Sequence, residues 1–207
     1  MKKLRLTLVV ALLAVVTAAS AQMNLGVKGG LNMSNFVYGD EVTDKNMKIG
    51  FHIGLAADYD FAYNMAIQTG LFFTTKGSTV KYEGLVDAEY KENLMYLQLP
   101  IHLAYKLDVS PGTRIVFHGG PYAAYGVAGK RTAKVGSISG EWDVDKMFGD
   151  AVGQYKPFDA GLGIGVGAEF GRFLVDLGWD FGLVNISNRS NGNTKNQNAY
   201  LSVGVKF

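Results

Sequence analysis

Alternation with period 2 dominates this chain. Residues 173 to 183 place Phe173, Val175, Leu177, Trp179, Phe181 and Leu183 at odd positions, while the even set holds Asp176, Gly178, Asp180 and Gly182. Residues 48 to 59 set Ile49, Phe51, Ile53, Leu55 and Tyr59 against Lys48, Gly50, His52, Gly54 and Asp58. Residues 94 to 106 and 199 to 207 repeat the scheme. Side chains of a strand point alternately to opposite faces, so each segment is a strand whose two faces meet different surroundings. Eight such segments fall near 23–34, 47–60, 64–78, 93–106, 114–128, 158–170, 173–186 and 198–207.

Each segment is long enough for a tilted strand to cross a bilayer, which takes about 9–11 residues. The connections alternate: long at 35–46, 79–92, 129–157 and 187–197, short around 61–63, 107–113 and 171–172. Long loops on one side and tight turns on the other mark an outer-membrane barrel. A lipocalin-like soluble barrel also has eight strands but would show water a polar exterior. Here the apolar set is bulky and the polar set small and glycine-rich, which fits an apolar exterior around a narrow lumen. The expected fold is all-β, an eight-stranded antiparallel up-and-down transmembrane barrel.

The stretch DAGLGIGVGAEFG (159–171) tests that reading, because Gly163-x-Gly165-x-x-Ala168 also fits a dinucleotide fingerprint. The fingerprint needs a helix after the glycines, and Phe170-Gly171-Arg172-Phe173 is a tight turn into another strand. The strand reading puts Gly161, Gly163, Gly165 and Gly167 on the lumen face and Leu162, Ile164 and Val166 in lipid.

Residues 1–21 read as an export signal: Lys2, Lys3 and Arg5, an apolar run from Leu6 to Val16, and a small-x-small site at Ala19-Ser20-Ala21. The apolar run is too short to span a bilayer as a helix, which takes roughly 20 residues. The barrel domain is then expected over 22–207, about neutral in charge, with no electrostatic case for nucleic acid. The chain has no cysteine, which excludes disulfides, thiolate metal sites and lipoprotein processing at a cysteine.

The segments GVKGGLNMSNF (26–36), YLQLPIHLAYKL (96–107), GGPYAAYG (119–126) and YLSVGVKF (200–207), in this order and spacing, resemble the PorT-type outer-membrane β-barrel family of Bacteroidetes-like bacteria. The resemblance spans essentially the whole chain after the leader. It implies the eight-stranded barrel and the outer membrane. It implies little about activity, although one namesake is associated with the type IX secretion route, which suggests an envelope or secretion protein as partner.

The candidate site residues have lumen parity: Lys48, His52, Gln98, His102, His118, Glu169, Asp176 and Asp180. His102 and His118 lie about equally far from the 107–113 turn and are expected as cross-strand neighbours. The histidines could form a metal or proton-linked site, or hydrogen-bond to Gln98, Asp176, Asp180 or Glu169. Lys28, Lys76, Lys106 and Lys206 also point inward with Asp58, and charges in so narrow a lumen must be paired or wetted. A salt-bridge plug is favoured over an ion path. No Ser/His pair has lipid-facing parity, so a lipid-modifying enzyme lacks its nucleophile and base. No cofactor or metal is called for. Glu141, Asp143 and Asp145 around Trp142 read as a hairpin above the membrane rather than a calcium loop. Residues 187–198 read as a polar outer loop. Pro100 and Pro121, on adjacent strands, suggest a shared bulge. Phe72, Val116 and Leu174 break the parity. Phe207 ends a strand and resembles the signal read by the barrel-assembly machinery; alternatively it is one of a girdle with Tyr59, Tyr105, Phe170 and Phe173.

Three functional classes follow: an interaction barrel whose outer loops, above all 129–157, contact a partner; a small-solute or ion channel; and, least favoured, a lipid-modifying enzyme. Loop 129–157 is far longer than closing a hairpin requires.

Overall fold

The computed structural model describes residues 23–38, 47–82, 88–135, 138–142, 147–151, 153–188 and 192–207. The leader expected over 1–21, with Asp143 and Asp145, lies outside these residues.

Nine strands form: β1 (Met23–Tyr38), β2 (Lys48–Ala62), β3 (Met65–Tyr82), β4 (Ala88–Ser110), β5 (Thr113–Val135), β6 (Ile138–Trp142), β7 (Phe158–Phe170), β8 (Phe173–Gly182) and β9 (Thr194–Lys206). All pairings between them are antiparallel, in the order β4-β3-β2-β1-β9-β8-β7-β5, and a β4–β5 pairing closes the ring of eight. Closure leaves no barrel edge unpaired within the bilayer, which hydrocarbon requires of any spanning sheet. β6 stands outside the ring and, among the described residues, pairs only with the far end of β5, from Arg131↔Trp142 to Val135↔Ile138. This is the hairpin expected around Trp142.

The face assignments hold across the membrane-spanning part of the strands, whereas at the outer ends of β1 and β3 the alternation breaks, with Asn35, Thr75 and Thr79 buried as well. Ile49, Phe51, Ile53 and Leu55 of β2, Leu97 to Leu107 in alternation on β4, and Leu162, Ile164 and Val166 of β7 lie exposed on the outer wall. Their neighbours His52, Gln98, His102, His118, Asp176 and Asp180 are buried inside. The parity-breaking residues Phe72, Val116 and Leu174 point into the lumen too, where they line an internal cavity.

The tight turns lie between β2 and β3, β4 and β5, and β7 and β8. Gly112, at φ 77°, follows Pro111, and Gly171, at φ 58°, opens the two-residue turn before Phe173. Both need the left-handed region that glycine enters without steric cost. Outer-membrane barrels turn tightly on the periplasmic side, so the opposite end faces outward.

Two expectations need correction. No bulge occurs at Pro100 and Pro121. Thr69↔Ile101 and Phe72↔Gln98 share one register on either side of the gap opposite Pro100, and Pro100↔Tyr122 and Leu103↔Gly119 share one register across the gap opposite Pro121. Each proline removes a ladder donor without adding a residue, and the Thr69 hydroxyl donates to the Pro100 carbonyl at 2.7 Å. The β4–β5 register shifts instead between Met95 and Tyr96 and next to the turn. Secondly, much of the expected long connections is strand. β3 and β4 pair out to Tyr82↔Ala88, β5 runs to Val135, and β9 begins at Thr194 rather than 198. β8 stops at Gly182, short of the expected 186. The amides of Leu183 and Val184 both donate to the Ala160 carbonyl, and the chain then turns to bury Ile186.

Candidate functional site

The lumen is filled in three tiers. At the periplasmic end, Lys206 Nζ bridges Asp58 Oδ2 at 2.7 Å and Glu169 Oε1 at 2.5 Å. Lys106 Nζ bridges Asp58 Oδ2 at 3.1 Å and Asp60 Oδ1 at 2.6 Å. Arg114 completes the belt on Glu169 Oε2 at 2.7 Å. Five strands contribute, so the belt ties distant parts of the wall across the lumen.

The middle tier holds the histidines. His118 Nε2 donates to Asp176 Oδ1 at 2.8 Å, and Asp176 also takes Lys28 through its other oxygen. His102 Nδ1 and His118 Nδ1 are 2.9 Å apart, with the rings stacked at 5.1 Å between centroids. They are cross-strand neighbours as expected. His52 is separate: Nδ1 meets Asn32 Oδ1 at 2.7 Å and Nε2 meets Ser202 Oγ at 2.8 Å. Gln98 Nε2 donates to Asp180 Oδ2 at 3.0 Å. Among the described residues no group of three or more His, Cys, Asp or Glu is placed to hold a metal ion.

The upper tier contains a fully buried ion pair. Lys76 Nζ stands 3.3 Å from Asp159 Oδ2, with both side chains at 0 % exposure. The Lys76 ammonium lies 4.3 Å from the Tyr122 ring centroid and 5.6 Å from that of Tyr96. The Asn196 amide and the Tyr122 hydroxyl donate to Asp159 at 2.9 and 3.4 Å. Above it Phe36, Leu94, Tyr96, Tyr122, Met147 and Ile186 form an apolar cluster, with Phe148 and Tyr155 packed against it. Met147, Phe148 and Tyr155 come from the expected outer loop, which folds back over the barrel mouth. The Gly126 amide donates to the Pro157 carbonyl and the Lys156 amide to that of Ile186, and the Tyr155 hydroxyl donates to Glu92, which also pairs with Arg131.

The candidate residues therefore do not form one site. His102, His118 and Asp176 are joined, Gln98 and Asp180 are joined, Glu169 belongs to the basal belt, and Lys48 stands at the outer end, donating to Asn93 Oδ1 at 2.8 Å. Asp159, Tyr96 and Asn196 were not among the expected site residues. Asp159 shares the parity of Gly161 to Gly167, so the signal was present. The fold-back of 147–157 left none, because it depends on contacts between distant segments.

The glycine run has a physical explanation in this tier structure. A Cβ on Gly161 would stand 2.8 Å from the Tyr122 ring, on Gly163 2.8 Å from His102, and on Gly165 closer still to His118. Each of these glycines of β7 is thus the seat of a ring from elsewhere in the chain, Tyr122 and His118 of β5 and His102 of β4. The same holds for Gly178 under Tyr200 and Gly126 under Phe148.

A family model described as outer membrane protein beta-barrel domain matches residues 18–188. The chain belongs to that family. Its members lie in the outer membrane, and so does this barrel. The chain is similar in fold to Ail, the attachment invasion locus protein of Yersinia pestis, at 15% identity over 90% of this chain and 99% of that one, with a TM-score of 0.41. It is similar also to a major outer membrane protein from Thermus thermophilus, at 14% identity over 89% and 99% with a TM-score of 0.48. Neisserial surface protein A matches at 12% identity over 88% and 97%, with a TM-score of 0.42. No curated protein sequence matches the chain.

Proposed function

We propose that this outer-membrane barrel is a closed interaction protein: the spanning part is a rigid, non-conducting plug, and the strand ends beyond the membrane are the contact surface. The observation that carries this reading is the upper tier. An ion pair with no exposed surface, covered by the buried apolar cluster and by the fold-back of Met147, Phe148 and Tyr155, fills the outer end among the described residues. The β5–β6 hairpin, within 129–157, reaches beyond the ring and offers β6 as an edge that can meet a partner. The PorT-type resemblance points to an envelope or secretion protein as that partner. Residues 1–21 serve export, and Phe207 serves recognition by the barrel-assembly machinery. No catalysis is assigned, because all three histidines point into the lumen, away from any lipid substrate.

Conductance of the purified protein in planar bilayers tests the closed state. A silent bilayer is expected, and stable ion-selective openings would instead support the channel reading. Photo-crosslinkers placed in cells at residues 138–142 should capture an envelope protein that crosslinkers at lipid-facing Ile53 or Leu201 do not. Equal labelling at both sets would remove the hairpin from the contact surface.

A further inference from the structure

A cavity of about 100 Å³ occupies the lower and middle lumen. It runs from Asn24 and Lys206 at the periplasmic end to Asp180 and Asn198, and is large enough for several waters at about 10–15 Å³ each. Phe72, Pro100 and Val116, on the consecutive strands β3, β4 and β5, give one side of it an apolar lining, and Leu174 of β8 adds an apolar side chain across the ring. At its upper end three polar atoms on side chains at least nine-tenths buried have no hydrogen-bond partner: Gln98 Oε1, His102 Nε2 and Asn198 Oδ1.

All three are acceptors. Gln98 commits its NH₂ to Asp180, and Asn198, paired with Asp180 across the β8–β9 ladder, also hydrogen-bonds to that carboxylate. A carboxylate only accepts, so both amides leave their oxygens turned away from it. The histidine tautomer follows from the same logic. Asp176 fixes the proton of His118 on Nε2, so in the neutral pair His118 Nδ1 accepts from His102 Nδ1–H. His102 Nε2 is then a bare lone pair. His102 Nε2 and Asp180 Oδ1 flank Gly163, at 2.8 and 2.9 Å from the place a Cβ there would take, and are therefore no more than about 5.7 Å apart, so a single small cation beside Gly163 can reach both.

Charge points the same way. Between the basal belt and the apolar cap stand Lys28 and Lys76 against Asp159, Asp176 and Asp180. Lys28 is bonded to Asp176 and Lys76 to Asp159. Among the described residues no ion pair reaches Asp180. A buried carboxylate without its own cation is costly.

We propose that this end of the cavity binds a primary ammonium group, R–NH₃⁺, of a small alkylamine entering from the periplasmic side. Its three N–H donors match Gln98 Oε1, His102 Nε2 and Asn198 Oδ1, its charge balances Asp180, and its alkyl part lies along Phe72 and Val116 on the apolar side. A metal ion would use the same charge but leave the apolar wall without a role. The site is independent of the outer contact surface.

The test is thermal unfolding of the purified barrel in detergent with methylammonium or ethylammonium chloride, against sodium, zinc and tetramethylammonium chlorides at constant ionic strength. The primary amines should raise the midpoint saturably, by about 3–6 °C at tenfold excess over Kd. Tetramethylammonium, which has no N–H, should not. Asp180→Asn should abolish the response, and Gln98→Met should weaken it at least fivefold in Kd if Asp180→Asn fails to fold. In ¹⁵N spectra His102 Nε2 should move from a free lone pair to a hydrogen-bonded acceptor as amine is added. Equal response to all salts, a response to sodium or zinc alone, or a protonated His102 Nε2 unmoved by amine would each overturn the proposal.

Discussion

Replacing Lys76 by methionine tests whether the upper tier is a braced plug. The pair Lys76–Asp159 is 3.3 Å apart with both side chains unexposed. Coulomb's law with an effective dielectric near 20 gives a gross attraction of about 5 kcal/mol at that separation. The ammonium also faces the Tyr122 ring, a contact of about 0.5–2 kcal/mol when desolvated. Against this, Asp159 keeps the Asn196 and Tyr122 donors when Lys76 is gone. Breaking one side of a buried pair costs about 3–5 kcal/mol, most of it the penalty of the stranded charge. Lys76→Met should therefore lower stability by about 3–5 kcal/mol, and Lys76→Met with Asp159→Asn should recover at least about 2 kcal/mol of that loss. Equilibrium urea unfolding from lipid bilayers, followed by tryptophan fluorescence and extrapolated linearly, measures both. A single-mutant cost under about 1 kcal/mol, or a double mutant no better than the sum, would show that water or a neutral Asp159 already relieves the pair.

Adjacent positions of β7 should respond in opposite ways. Gly163→Leu drives a side chain into His102 and Asp180; a loss of about 1–3 kcal/mol is expected, with the His102–His118 hydrogen bond broken in imidazole ¹⁵N spectra, and an intact bond would refute the seat. Ile164→Arg, one residue on and facing lipid, should cost about 2–4 kcal/mol near the midplane in bilayers, whereas a neutral effect would contradict the face assignment. Deleting Phe207, whose amide donates to the Leu25 carbonyl at 2.8 Å, should sharply reduce the heat-modifiable form on unheated gels. Normal assembly would make Phe207 a girdle residue only.

The part of the fold inside the bilayer was legible because two solvents meet there. Lipid on one face and a polar lumen on the other force the period-2 pattern, so the ring strands and the inward set His52, Gln98, His102, His118, Asp176 and Asp180 could be read off directly. Beyond the membrane both faces of a strand see water, the pattern fades, and backbone pairing continues unseen. That is why 79–92 looked like a loop although β3 and β4 pair out to Tyr82↔Ala88, and why Thr194–Asn198 looked like part of an outer loop although it pairs with Tyr38 to Ser34 of β1. Pro100 and Pro121 misled for a different reason. Proline marks a missing donor, and a bulge is only one way to accommodate that; an interrupted ladder in constant register is another.

The glycines link the wall to the contents of the lumen. An eight-stranded ring encloses little more than side chains, so a lumen carrying Tyr122, His102, His118, Tyr200 and Phe72 has no room for further bulk on the opposing strands. Placing those rings flat against Gly161, Gly163, Gly165, Gly178, Gly54 and Gly70 moves them to the periphery. Space then remains in the middle and lower lumen, where the cavity lies, and disappears above, where Leu94, Tyr96, Ile186 and Met147 meet. In the reading proposed above, the barrel is asymmetric along its axis: accessible to small polar groups past the basal belt and closed toward the outside. A conducting pore needs continuity between the two ends. A blind pocket beneath a braced cap, as proposed, would instead separate what enters from the periplasm from what the outer strand ends contact, so that the two surfaces could act independently on one rigid wall.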